Sequence, residues 1–270
     1  MNPKLEIDLP NELLVYKEKI EGTIKPLIEI KAKAEDHLRL WQSKFGGFPY
    51  FPKGLQYPTD SKGQAMFLLA QINFGETPKL ESFPDKGILQ FYISGGNDFY
   101  GACFESPAKQ DDFKILYFPE VTEDESFLVT GFDFPPEPNT LPIDIQSSLT
   151  FNLKHAPIPT ADYQFESRIL NLDPKSKHKI YKDYQVVYEE YEKLFASEGH
   201  KLGGYPYFTQ YDPRDSKIYN GVNYRLLFQM DTDDKAGIMW GDSGVANFFI
   251  TEQDLVDKNF SRVSYNWDCC

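Results

Sequence analysis

The feature that most constrains this chain is that it nearly repeats itself. Residues 44–51 read KFGGFPYF and residues 201–208 read KLGGYPYF, so the paired glycines recur 157 positions on (204 − 47 = 157). MFLLAQIN at 66–73 is matched by YRLLFQMD at 224–231, where Gln71 and Gln229 stand 158 apart (229 − 71 = 158). GILQFYI at 87–93 is matched by GVANFFI at 244–250, again 157 apart, and KILY at 114–117 has a weaker counterpart in RVSY at 262–265. Ordered blocks at near-constant spacing mark a duplicated unit. One copy is expected over about 27–118, a connector over 119–175 and the second copy over about 179–268, all in one domain.

Each block has a physical reading. The Gly-Gly-aromatic-Pro block is a turn, because Gly supplies positive φ and Pro withholds a backbone donor. The next two blocks alternate as strands do. Met66, Leu68, Ala70 and Ile72 form an apolar set, matched by Tyr224, Leu226, Phe228 and Met230, with Gln71 and Gln229 on the opposite face. In the third block Gln90 and Asn247 lie opposite the apolar set that contains Phe91 and Phe248. The expected fold class is α+β: internally duplicated, mainly antiparallel β-sheets with a few helices, the copies related by a pseudo-twofold axis and burying their apolar faces together. Asp8 is expected to cap a helix carrying Leu9, Leu13, Tyr16 and Ile20. A second helix is expected over 178–198, with Tyr181, Tyr184, Tyr188, Tyr191 and Phe195 on one core-facing stripe and Gly199 as its C-cap. Short strands are expected in the connector at FLVTGF and SLTFNL.

Composition narrows the function classes. With 22 Phe and 17 Tyr among 270 residues the chain is rich in sheet formers. A net charge of -13 repels nucleic-acid phosphates and anionic membranes, and no basic run interrupts it. No apolar run approaches the roughly 20 residues of a membrane helix, and the first residues lack a signal-peptide pattern. Cysteine is confined to Cys103, Cys269 and Cys270, with no CxxC. A cytoplasmic protein is expected, without cofactor or metal and with neither nucleic-acid nor membrane partners.

The candidate chemistry is sparse. Gly241-Asp242-Ser243-Gly244 has the look of a serine-protease nucleophile segment, but it precedes a strand directly and is read as a tight turn in which Asp242 and Ser243 cap backbone groups. Asp231-Thr232-Asp233-Asp234 lacks the Gly and Glu that an EF-hand places at its sixth and twelfth positions, and is read as a solvated acidic hairpin. His200 precedes the second Gly-Gly turn where copy one has Ser43. It is read as a helix-terminal histidine, with a general base as the alternative. Asp212 and Arg214 follow, either as a loop-pinning pair or in a polar cluster with His200 and Gln210.

Together SKFGGFPYFP, FLLAQINFGE, HKLGGYPYFTQYDPR, LLFQMD and MWGDSGVANFFI resemble the YwqG family of bacterial proteins of unknown function, over nearly the whole chain. The resemblance implies a duplicated α+β fold and no established reaction. The genomic setting of that family, beside secreted-toxin clusters, implies a toxin-neutralising or other partner-binding role. A non-catalytic binding or interaction protein is therefore the favoured expectation, its partner another protein or a small ligand. The alternative is a hydrolase or small-molecule-binding enzyme with a site between the copies, using His200, Asp212, Arg214 and Asp242. The repeated amides Gln71, Gln90, Gln229 and Asn247 either satisfy the backbone of the Gly-Gly turns or line a groove rimmed by Asp231, Trp240 and Asp242. A deep pocket gathering the charged residues would favour the enzyme; a shallow aromatic patch with an acidic rim would favour the binder.

Overall fold

Two ten-residue strands form the centre of the molecule. β1 (Lys25–Ala34) and β6 (Ser147–Ala156) pair antiparallel along their whole length, from Lys25 opposite Ala156 to Ala34 opposite Ser147. In β1, Ile28 and Ile30 alternate with Glu29 and Lys31, so one face enters the core. The structure, a computed structural model, describes residues 4–96, 98–132, 141–172 and 177–270.

The remaining strands extend the sheet to either side. One wing is β2 (Lys44–Phe45), β3 (Phe67–Asn73), β4 (Ile88–Ile93) and β5 (Phe113–Phe118); the other is β7 (His200–Gly203), β8 (Tyr224–Asp231), β9 (Val245–Thr251) and β10 (Ser264–Asp268). The order is β10-β9-β8-β7-β1-β6-β2-β3-β4-β5, antiparallel throughout. β1 thus lies against the β7 wing, and β6 against the β2 wing. The sheet curls until its wings face one another. Phe91 lies 4.9 Å from Phe248, and Phe113 lies 5.3 Å from Tyr265, which joins the two edge strands across one core. Residues 107–110 close this seam. Pro107 O accepts from Tyr265 N at 2.8 Å, and Gln110 accepts from Ile115 N while donating to Phe260 O. Two edges that would otherwise offer open ladders are partly covered in this way.

A β-bulge changes the expected faces of β3 and β8. The register shifts between Leu68 and Ala70, and again between Leu226 and Phe228. Met66 and Leu68 therefore pack with Tyr92 on the outer face, while Leu69, Ala70 and Ile72 enter the main core. The four-residue apolar face expected from strict alternation is thus split in two, because a bulge adds one residue to one strand only. Leu226 and Phe228 part in the same way.

The helices also depart from expectation. The N-terminal helix is two short ones, α1 (Asn11–Leu14) and α2 (Lys17–Glu21), and Pro10 rather than Asp8 stands at the first N-cap. α3 (Lys177–Leu194) ends before Gly199, which instead leads into β7 at φ 86°. Tyr188 and Tyr191 pack with Leu13, Ile20, Ile158 and Phe165 in a second core, with Tyr184 and Phe195 against it, as expected of these members of the stripe; the side chain of Tyr181 lies outside the described residues. In the connector, SLTFNL belongs to the central strand β6. FLVTGF forms no strand, only a single bridge between Leu128 and Pro52. Connector residues 133–140 and 173–175, with residue 176 after them, lie outside the described residues.

Candidate functional site

The repeated amides bind backbone. Gln71 Oε1 accepts from Tyr50 N at 2.7 Å, and its Nε2 donates to Leu40 O and Gln42 O at 2.7 and 2.8 Å. Gln229 Oε1 accepts from Tyr207 N at 2.7 Å, and its Nε2 donates to Ser197 O and Gly199 O at 3.1 and 2.7 Å. Gln90 donates to Tyr50 O, and Asn247 to Tyr207 O. All four amides are fully buried. They cross-link the loop around each Gly-Gly turn to the outer face of the sheet, because such a turn leaves backbone groups outside any ladder. The turns need glycine: Gly204 has φ 69°, and a Cβ there would meet Leu27 Cβ at 2.9 Å.

Two lysines complete this arrangement. Lys44 donates to Arg39 O at 2.6 Å and Phe48 O at 3.1 Å, and Lys201 donates to Ser197 O. Both are almost wholly buried. Burial pushes Lys44 down to about 8 and Lys201 down to about 7, with the charge of Glu76 and of Asp231, respectively, acting in the opposite sense. They stand at the head of the KFGG and KLGG blocks. Their recurrence at the same place in the two matched Gly-Gly sequence blocks was a signal that could have found them.

His200 is the first residue of β7, not a helix terminus. Its Nδ1 accepts from Asp231 N at 3.0 Å, so Nε2 carries the proton and faces Asp233 Oδ2 at 3.5 Å. Ser43 Oγ takes the corresponding bond from Asn73 N at 2.8 Å. Burial pushes His200 down to about 4 despite Asp233. Asp231 is buried and accepts from Gly199 N and Thr232 N, whereas Asp233, which caps the turn at Asp234–Ala236, stays 31 % exposed, so the hairpin is solvated at Asp233 and Asp234 but not at Asp231. A cleft of about 740 Å³ opens here, where β7 ends and the outer half of β1 has no strand on that side. His200, Lys201, Asp233 and Lys235 line it; Asp212, Arg214 and Asp242 do not.

Arg214 lies elsewhere, buried between two carboxylates. Its Nε and Nη2 donate to Asp212 at 2.9 and 2.5 Å, and Nη2 also donates to Asp162 at 2.7 Å. Burial disfavours the charge, but these bonds outweigh it and raise the guanidinium pKa. Gln210 belongs to neither group; it bonds Asp268 and Cys269. Trp240 is fully buried in the core, and Asp242 is exposed. The Trp240–Gly244 turn closes through its backbone, Gly244 N to Trp240 O at 2.7 Å, with Ser243 exposed at φ 58°. The expected caps from Asp242 and Ser243 side chains are not among the hydrogen bonds of the described residues. Nor do those residues contain a group of three or more His, Cys, Asp or Glu arranged to hold a metal.

A cluster of exposed aromatic residues lies along the edge of β10. A groove of about 430 Å³ runs between the 98–107 and 210–219 loops, with Asn266 and Trp267 along its floor. Phe99, Phe104, Tyr211 and Ile218 are 56 %, 41 %, 70 % and 52 % exposed, and all line it. Trp267 Nε1 donates to Phe99 O at 2.9 Å and fixes one wall. Asp98 and Asp268 are its charged residues, and no lysine or arginine lines it among the described residues. Desolvation raises the Asp268 carboxyl against the bond it accepts from Gln210 N. The groove residues come from aperiodic loops, so no sequence pattern marked them.

No helix among the described residues is long and apolar enough to cross a membrane. Comparison with curated proteins gives no match to the chain. A family model described as a domain of unknown function (DUF1963) matches residues 43–269, from the strand before the first Gly-Gly turn to the end of β10, and the chain belongs to that family.

Proposed function

We propose that this is a non-catalytic binding protein whose partner is a protein carrying a basic, partly apolar segment. The groove beside β10 carries the reading. Four large apolar side chains stay exposed there beside the exposed carboxylate of Asp98, and such clustering on a folded surface marks an interaction site. The negative net charge favours a basic partner by long-range steering. A toxin-neutralising role, carried by the YwqG resemblance, and a cytoplasmic location, carried by the free cysteines, belong to this proposal. Selection of random nonapeptides displayed on phage against the whole chain tests it. Enriched sequences should set an aromatic or aliphatic residue between lysines or arginines, and should bind Ile218→Ser weakly. A pool without that bias, or one that binds Ile218→Ser equally well, contradicts the proposal.

The fold reading behind it is a duplication with exchanged first strands. Replacing each strand by the one five places on turns the sheet order into its own reverse, which supports a pseudo-twofold axis. Ile28 lies opposite Leu202 and Ser147 opposite Phe45, which makes Ile28 and Ser147 counterparts (147 − 28 = 119). The axis then passes through the pair Lys31 and Thr150, which has the same separation (150 − 31 = 119). On this reading the repeats run from about 25 to 118 and from about 147 to 268, and β6 is the first strand of the second.

A second reading, a small-molecule site at the centre of the sheet, is favoured by the volume of the cleft beside His200. Its histidine is held neutral with Nδ1 already occupied, which leaves it poorly placed as a base. Fragment screening by ligand-observed NMR, with Lys235→Ala as control, distinguishes this cleft from the groove.

A further inference from the structure

The edge strand beneath the groove says how a partner segment would be held. In β10, Tyr265 turns its N–H outward to Pro107 O. By antiparallel alternation Ser264, Asn266 and Asp268 bond β9, and Trp267 turns its N–H and C=O to the same outer side as Tyr265. Those Trp267 groups have no backbone partner outside the ladder among the described residues. The next bonds along this border are made by Gln210, to Asp268 Oδ2 at 2.8 Å and to Cys269 O at 2.6 Å. Between Pro107 and Gln210 the edge of a ten-stranded sheet is left open, and the open stretch is the floor of the aromatic groove. Ser216, whose buried hydroxyl has no hydrogen-bond partner, lines the same groove.

An open edge is a template for another chain. Where it meets apolar pockets, main-chain bonds supply affinity and alternate side chains supply specificity. Other parts of the molecule offer less. The central cleft is lined by as many carboxylates as amines, and the Arg214 cluster is saturated by its two aspartates.

We propose that the groove binds an extended segment of a partner protein by strand addition to β10: the segment pairs its main chain with Trp267, seats a bulky apolar side chain among Phe99, Phe104 and Ile218, and carries a flanking lysine or arginine toward the exposed Asp98. The charge complementarity is local as well as global, since the groove has the exposed Asp98 at its border and no lysine or arginine in its lining among the described residues. This inference rests on the partner-binding reading above and adds the conformation and register of the bound segment.

The test uses an N-methyl scan of a nonapeptide obtained by the phage selection, titrated against the whole chain by tryptophan fluorescence. Methylating the residue whose N–H pairs with Trp267 should weaken binding about tenfold or more, while methylating its immediate neighbours, whose N–H groups turn away, should not. The Trp267 amide should also gain hydrogen-exchange protection in the complex. A flat scan, or one with helical period, overturns strand addition. If Phe104→Ser and Ile218→Ser still weaken that peptide, the partner-binding groove itself stands. If the selection yields no basic apolar sequence, or the peptides bind those variants as they bind the unaltered chain, both inferences fall.

Discussion

Gln71 Oε1 accepts the backbone N–H of Tyr50 at 2.7 Å, with both residues shut off from water. The bond fastens the loop after the first Gly-Gly turn to the middle of β3. Gln229 fastens Tyr207 to β8 at the same distance. Each amide also takes two carbonyls, so its loss removes the partner of one backbone donor and of two partly buried acceptors. Gln71→Ala and Gln229→Ala should each lower unfolding free energy by roughly 1–3 kcal/mol in urea titrations. Binding by the folded fraction should be unchanged, because neither amide lines the β10 groove.

Arg214 holds two buried carboxylates at once. Arg214→Ala leaves Asp162 and Asp212 facing each other without a cation, at a cost of about 3–5 kcal/mol. Lysine should not rescue it. Asp212 is gripped through both Nε and Nη2, a fork that one amine cannot reproduce. Thermal melts of Arg214→Ala and Arg214→Lys check this, and recovery of the original stability by lysine would contradict it.

His200 should shape the acid limb of stability. Its folded pKa is depressed to about 4 from an ordinary 6.5, so between these values the unfolded chain binds a proton that the folded chain refuses. Stability from this group is therefore intact above pH 6.5 and is lost as pH falls toward 4, by up to about 3 kcal/mol. Asp231, raised by burial, works in the opposite sense near the bottom of that window. Urea midpoints measured from pH 7 to 4.5 should fall in the unaltered chain and fall less in His200→Gln.

The buried lysines act on the other side of neutrality. Lys201 and Lys44 titrate near 7 and 8 in the folded chain, against 10.5 for an ordinary lysine. The folded state carries the cost of a buried charge below those values and sheds it as pH rises toward 10.5. Stability should therefore climb between pH 7 and 9.5, by on the order of 1 kcal/mol per pH unit for Lys201. Lys201→Met should flatten that climb. A slope unchanged in Lys201→Met would contradict the assignment.

Much of the sheet was legible because strands write their faces into sequence with period two. The Gly-Gly turns, the paired amides and the strands β3, β4, β8 and β9 all follow from the matched blocks. The bulges were not legible: one extra residue at Leu69 and one at Leu227 reset the alternation, and a leucine fits either face. The pattern Ile28, Ile30, Ala32 in β1 and Leu149, Phe151, Leu153 in β6 was present, but the two strands share no obvious block, and each lies against the opposite wing. His200 read as a functional candidate because imidazole is rare and titratable. Its use as a hydrogen-bond acceptor in place of the Ser43 hydroxyl required the geometry. Phe99, Phe104, Tyr211 and Ile218 meet only through tertiary structure.

The most direct test of the functional account compares the two candidate places on one molecule. Equilibrium affinity of a fluorescent, phage-selected basic nonapeptide should be measured for the unaltered chain, for Phe104→Ser in the β10 groove and for Lys235→Ala in the central cleft. Phe104→Ser should weaken binding about tenfold or more. Lys235→Ala should leave binding unchanged, and affinity should fall as salt rises. Binding that survives Phe104→Ser and is lost in Lys235→Ala would place recognition in the central cleft and contradict this account.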